Sequence, residues 1–98
     1  MLFVIRFTDK LDSQAIREQY LDAHISWLDQ RRESVLVAGS LREEDSSNPV
    51  GAFWIVEAKS KSEAAAIFKS DPFWTKGMRG KVEIYHWSKA FSDEKVLV

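Results

Sequence analysis

Ser34-Val35-Leu36-Val37-Ala38-Gly39-Ser40-Leu41 and Gly51-Ala52-Phe53-Trp54-Ile55-Val56-Glu57 read as two strands, short and rich in β-branched and aromatic residues. Between them, Arg42 to Pro49 contains Glu43-Glu44-Asp45-Ser46-Ser47-Asn48-Pro49, a polar, turn-rich segment. This is the expected flexible loop, and it predicts an antiparallel hairpin in the middle of the chain. Upstream, Leu2-Phe3-Val4-Ile5-Arg6-Phe7 reads as a strand. The stretch Ile16 to Leu28 then repeats apolar residues at helical spacing, with Asp12 or Ser13 suited to cap it and an end near Arg32. Downstream, Ser60 or Ser62 can cap a second helix whose apolar side is Ala64, Ala65, Ile67 and Phe68. Asp71-Pro72 ends that helix, because the residue before proline is biased away from the helical region. Pro72 to Lys76 allows one further turn, stopped by Gly77. Val82 to Trp87 is the last strand, and Phe91 to Val98 forms a tail with its own apolar end.

The order is βαββαβ. With one hairpin and two right-handed crossovers it predicts an α+β, ferredoxin-like fold: a four-stranded antiparallel sheet with two helices on one face. The other face should be polar in a monomer. The first strand is instead apolar at both parities (Phe3, Ile5, Phe7 against Leu2, Val4), as is the third (Phe53, Ile55 against Trp54, Val56). The last strand sets Val82 and Ile84 against Tyr85 and Trp87. An uncovered face bearing Trp54, Tyr85 or Trp87 is too large an apolar patch for a monomer, which implies a homodimer or higher homo-oligomer formed through that face. Two such sheets can also enclose a cavity for a small molecule.

At 98 residues the chain predicts a single domain spanning 1–98. A formal net charge of -1 gives no electrostatic footprint for nucleic acid or an anionic membrane. The absence of cysteine excludes disulfides, thiolate nucleophiles and Cys-ligated metals. No apolar run approaches a membrane span, and Arg6 interrupts the first apolar segment without a charged leader before it. A cytoplasmic location, with no membrane partner, is the expectation.

Few residues can carry chemistry. Counting by three and four from Ile16 reaches Tyr20, His24, Trp27, Leu28 and Arg31, which sets the His24 imidazole on or beside the apolar stripe. A buried imidazole needs a polar partner; a backbone carbonyl would make it a structural histidine. Asp71, directly before Pro72, suits a helix N-cap, yet one carboxylate oxygen can cap while the other accepts from an imidazole. An Asp that orients a His is the usual support for a general base, and both helices share one face of the sheet. Gly39 within its strand permits close approach of a ligand or backbone, and Ser40 beside it can donate to a ligand or simply meet solvent. Arg6 is an anion anchor if it faces a cavity and a snorkelling residue otherwise. His86 is a weaker candidate on the last strand. The histidines and carboxylates show no metal-ligand spacing, and no phosphate loop or dinucleotide fingerprint occurs, so neither a metal nor a cofactor is expected.

Met1-Leu2-Phe3-Val4-Ile5, Ala23-His24, Ala38-Gly39-Ser40, Asp71-Pro72-Phe73, Gly77 and a strand ending near Lys89 together resemble the YciI-like family in order and spacing over almost the whole chain. The resemblance implies a dimeric ferredoxin-like domain with a paired histidine and aspartate as active site, which on this chain are His24 and Asp71. It also implies proton-transfer chemistry of lyase or hydrolytic type on a small, cyclic or aromatic substrate, since one relative is a dehydrochlorinase of a chlorinated hydroxyhydroquinone. Ser40 or Arg6 would then hold a ligand oxygen. Trp74 and Phe53-Trp54 depart from the family pattern and bear on substrate identity.

Three other readings share the topology. A binding-only module would hold a small ligand in the same pocket without turning it over. An RNA-recognition domain is opposed by the negative net charge and by the lack of a basic residue before Gly51. The dimeric α+β barrel monooxygenases and isomerases share the architecture, but fold alone does not fix function.

Overall fold

A computed structural model describes residues 1–91. It contains β1 (Leu2–Asp9), α1 (Gln14–Asp29), β2 (Val35–Leu41), β3 (Gly51–Glu57), α2 (Lys61–Ile67), a 3-10 turn (Phe68–Ser70), α3 (Pro72–Thr75) and β4 (Arg79–Trp87). The strands form one sheet in the order β2-β3-β1-β4, every neighbouring pair antiparallel. This is the ferredoxin-like α+β arrangement. Of the tail from Phe91 to Val98, residues 92–98 lie outside the described part.

Pleating sorts each strand onto two faces. Phe3, Ile5 and Phe7 of β1 stand beside Val56, Trp54 and Ala52 of β3 on the helix-covered face. There they pack with Trp27 of α1, Ala64 of α2 and Phe68 of the 3-10 turn into one buried core. The other parity of β1, Leu2 and Val4, lies on the face that the helices leave uncovered. Trp54 belongs to the covered face and is 1% exposed. The uncovered face instead carries Leu2, Val4, Phe53, Ile55, Tyr85 and Trp87 by register, with Arg6, Glu83 and Lys81 among them.

Several element ends differ from the sequence expectation. Ser13 is the N-cap residue of α1 but makes no side-chain capping bond, and Asp12 has a positive φ of 61° that turns the chain into the helix. The helix stops at Asp29 rather than near Arg32, and Arg31 N bonds to the Leu28 carbonyl in a closing turn. Of the two serines offered for α2, Ser60 is the cap, accepting from Glu63 N at 3.1 Å. Gly77 ends α3 at φ 77°, with Met78 N bonded back to Phe73 O, a left-handed closure of a helix end.

β4 starts at Arg79, earlier than Val82. The Arg79-Gly80 pair looks like a turn in sequence, but the register with β1 shifts there, pairing Thr8 with Lys81 and Asp9 with Arg79. Gly80 is the extra residue of a β-bulge, which brings Asp9 opposite Arg79. Of the two approaches open at Gly39, ligand or backbone, no backbone comes close there; the close backbone contact is at Gly51. A Cβ on Gly39 meets nothing within 4 Å, whereas one on Gly51 would lie 2.0 Å from the Phe7 carbonyl oxygen.

Candidate active site

His24 is 7% exposed on the inner side of α1, and its Nδ1 lies 2.7 Å from Asp71 Oδ1. The ring stacks on Phe73, centroids 4.1 Å apart and planes 17° from parallel, and tilts against Trp54 at 6.2 Å. Asp71 is 1% exposed. Its position follows from its second role: as N-cap of α3, with Pro72 in the first helical position, it accepts from Phe73 N at 3.1 Å. Expectation and structure part on one detail. Both bonds converge on Oδ1, and Oδ2 is buried without a hydrogen-bond partner among the described residues. The cap fixes which oxygen lies near the backbone, and the imidazole approaches from the same side.

One helical turn along α1, Trp27 Nε1 donates to Ser70 Oγ at 2.9 Å, and Arg31 stacks over the Trp27 ring at 4.3 Å. Ser70 immediately precedes Asp71. Two rungs, Trp27–Ser70 and His24–Asp71, therefore tie α1 to the junction before α3.

A bond from Nδ1–H to the carboxylate assigns the neutral tautomer that leaves a lone pair on Nε2. The imidazole lines a cavity of about 320 Å³ between α1 and the β2–β3 side of the sheet. Leu21, Ile25, Leu28, Ala38, Ala52 and Trp54 give that cavity apolar walls. Ser40 lines it, and the loop after β2 contributes Arg42, Asn48 and Pro49. Arg6 is not brought there. It sits on the uncovered sheet face, its Nε 3.3 Å from Glu83 Oε1. His86 packs edge-on against Phe3 at the far edge strand, also away from the cavity.

Sequence reasoning missed Arg17 and Arg79, which line this wall, and Asp9, which joins them. Asp9 is gripped by Arg17 Nη2 through Oδ2 and by Arg79 Nη1 at 2.8 Å through Oδ1. The Arg79 guanidinium lies 4.5 Å over Phe7 and 5.3 Å from the Phe73 centroid, and Arg17 lies 5.2 Å from the same ring. Phe73 is thus touched by His24 and by both guanidinium groups. Burial pushes the Arg79 guanidinium below its ordinary value, opposed by its bond to Asp9 and by the Asp9 and Asp71 charges. A signal for Arg17 was available, since it lies seven residues before His24 and so on the same helical face. Asp9 and Arg79 meet across 70 residues only through the bulge. No group of three or more His, Asp or Glu among the described residues is arranged to hold a metal ion.

The chain was compared with known proteins. A comparison with curated proteins returns no match. Among solved structures, the 5-chloro-2-hydroxyhydroquinone dehydrochlorinase of Burkholderia phenoliruptrix, in complex with 2,5-dihydroxybenzoquinone, is 26% identical with a TM-score of 0.80, covering 90% of this chain and 94% of that one. Protein Atu4242 of Agrobacterium tumefaciens is 12% identical with a TM-score of 0.56, covering 96% and 98%. A cofactor-independent oxygenase of Streptomyces nogalater is 14% identical with a TM-score of 0.51, covering 94% and 96%. The latter two share the fold alone. The profile of the YCII-related domain matches residues 1–88, as the order of His24, Ser40 and Asp71 along the chain had implied: the chain belongs to the YCII-related family.

Proposed function

We propose that this protein is a small-molecule enzyme in which His24, oriented by Asp71, carries a proton to or from the substrate. The observation that carries this reading is the buried 2.7 Å contact between His24 Nδ1 and Asp71 at the wall of a mostly apolar cavity. Asp71 fixes the imidazole's orientation and stabilises the imidazolium formed when Nε2 takes a proton. A general base of this kind contributes about 10²–10⁴-fold to rate. Substrate charge that develops on an oxygen would meet Arg17 and Arg79, with Ser40 as a further hydroxyl at the same cavity. The apolar walls suit a flat, cyclic substrate. The likeness to a dehydrochlorinase supports a lyase-type reaction, in which proton removal drives departure of a leaving group. This reading places the reaction inside one chain, and the apolar uncovered sheet face supports assembly as a homodimer.

The test is halide release from 5-chloro-2-hydroxyhydroquinone by the purified chain. Release is expected from the unmodified protein and a loss of about 10²-fold or more in His24→Asn. Equal release by both proteins would remove His24 from the chemistry. Binding of the compound with no release by the unmodified protein favours a second reading, a ligand-binding module, which the same cavity supports.

A further inference from the structure

We infer that the substrate is a neutral ring bearing an apolar substituent, with the ring beside His24 and the substituent in a groove that leads out of the cavity between α1 and β2. This rests on the proton-transfer reading above and deepens it by naming the class of molecule the site admits.

A second concavity, of about 670 Å³, opens between α1 and the start of β2. Leu21, Ile25, Leu28 and Ala38 line both it and the cavity beside His24, so the two are continuous along a shared apolar wall. The three α1 residues follow one another at spacings of four and three, a stripe that runs about 10 Å along the helix. Leu28 packs against the core, whereas Leu21 is 42% and Ile25 54% exposed. Across the groove, Val35 of β2 pairs with Val56 and Val37 with Ile55, which makes Leu36 the extra residue of a bulge. Regular pleating sends neighbours such as Val35 and Leu36 to opposite faces. With the bulge, both border the groove, and Leu36 is 50% exposed. A single exposed leucine is ordinary on a surface. Three large aliphatic side chains around one channel that starts at the site are a built apolar surface.

Charge narrows the class of occupant. At the cavity end, Asp9 holds both Arg17 and Arg79, so neither buried guanidinium awaits an anion. An ion entering there would lose its hydration without gaining a counter-charge, which is costly. His24 Nε2, with its lone pair, is instead an acceptor suited to the hydroxyl of an un-ionised ring. The charged residues at the groove, Asp22, Asp29 and Arg32, are exposed, and Arg32 pairs with Asp29 at 2.7 Å. Between them and the cavity the shared wall carries no charge. A substituent laid along it gains by removing its own apolar surface, and that of Leu21, Ile25 and Leu36, from water.

Titration of the full chain with phenol, 4-ethylphenol, 4-butylphenol and 4-hexylphenol at neutral pH, followed by amide NMR, tests this. Each compound is un-ionised there, since a phenol ionises near pH ~10. Affinity should rise about two- to fourfold for each added methylene, and the Leu36 amide should shift with the hexyl compound and not with phenol. Leu36→Asn should flatten the rise while binding phenol as tightly as the unmodified chain, and Leu36→Met should keep the rise. A flat series, a rise unchanged in Leu36→Asn, or no binding of any of the four phenols would each overturn the inference. So would a smaller assembled mass for Leu36→Asn by light scattering, which would give the groove to a second copy of the chain. Chain-length-dependent binding with halide release intact in His24→Asn would overturn the catalytic reading alone. A flat series with halide release lost in His24→Asn would overturn the groove alone.

Discussion

Asp71 serves two roles through one oxygen, and substitution can separate them. Asp71→Asn retains an acceptor for Phe73 N, so the cap survives, but it exchanges the charge that supports an imidazolium for a neutral amide. Stability by urea titration should stay within about 1 kcal/mol of the unmodified protein, while turnover falls by 10²-fold or more, both on the order set by caps and general bases. Asp71→Ala should cost a further ~1–3 kcal/mol, because it orphans the cap and a buried imidazole nitrogen. Equal activity of Asp71→Asn and the unmodified protein would reduce Asp71 to a helix cap. His24 and Asp71 were both legible in the sequence as candidates, one from helical spacing and one from the Asp-Pro pair. Spacing alone did not pair them, since residues 47 apart in sequence meet only after both helices have docked on one face; the pairing came from the family resemblance. Arg6 was left open between an anchor facing a cavity and a snorkelling residue, because a lone arginine in a strand apolar at both parities does not tell whether its face is covered.

Among the elements, the strand pairings and the α1 docking decide where the site sits. Gly51 lets β3 lie against β1, since a Cβ there would press on the Phe7 carbonyl, whereas Gly39 has open space. Gly51→Ala is therefore expected to destabilise by about 1–3 kcal/mol or more, and Gly39→Ala to shift stability by less than ~0.5 kcal/mol. Matching denaturation midpoints for the two variants would contradict the pairing described. Trp27→Phe keeps the ring against Trp54 and removes the bond to Ser70, a change of about 1 kcal/mol. The element order and the two-faced sheet were readable because strand and helix periodicities differ and because β1 and β3 carry apolar residues at both parities. The bulge at Gly80 was not readable. A glycine between two basic residues looks like a turn until a partner strand supplies the shifted register.

For the whole molecule, the uncovered sheet face is the feature that a lone chain leaves unexplained. Phe53 is 37% exposed, Val37 57% and Tyr85 56%. Tyr85 donates to Glu83 at 2.9 Å, which holds the Glu83 carboxyl below the usual carboxylate range and raises Tyr85 in turn. Arg6 and Lys81 pair with the same carboxylate, so a polar cluster lies within the apolar face and can fix the orientation of two facing sheets. Light scattering should give twice the chain mass for the unmodified protein and a monomer for Ile55→Lys. A monomeric unmodified protein would refute assembly through this face. No helix among the described residues is long and apolar enough to cross a membrane.

The central claim is that His24 carries the proton. Chemical rescue tests it most directly: His24→Ala should be inactive in halide release from 5-chloro-2-hydroxyhydroquinone, and added imidazole should restore turnover in proportion to its neutral form. Full turnover by His24→Ala without imidazole would contradict the claim.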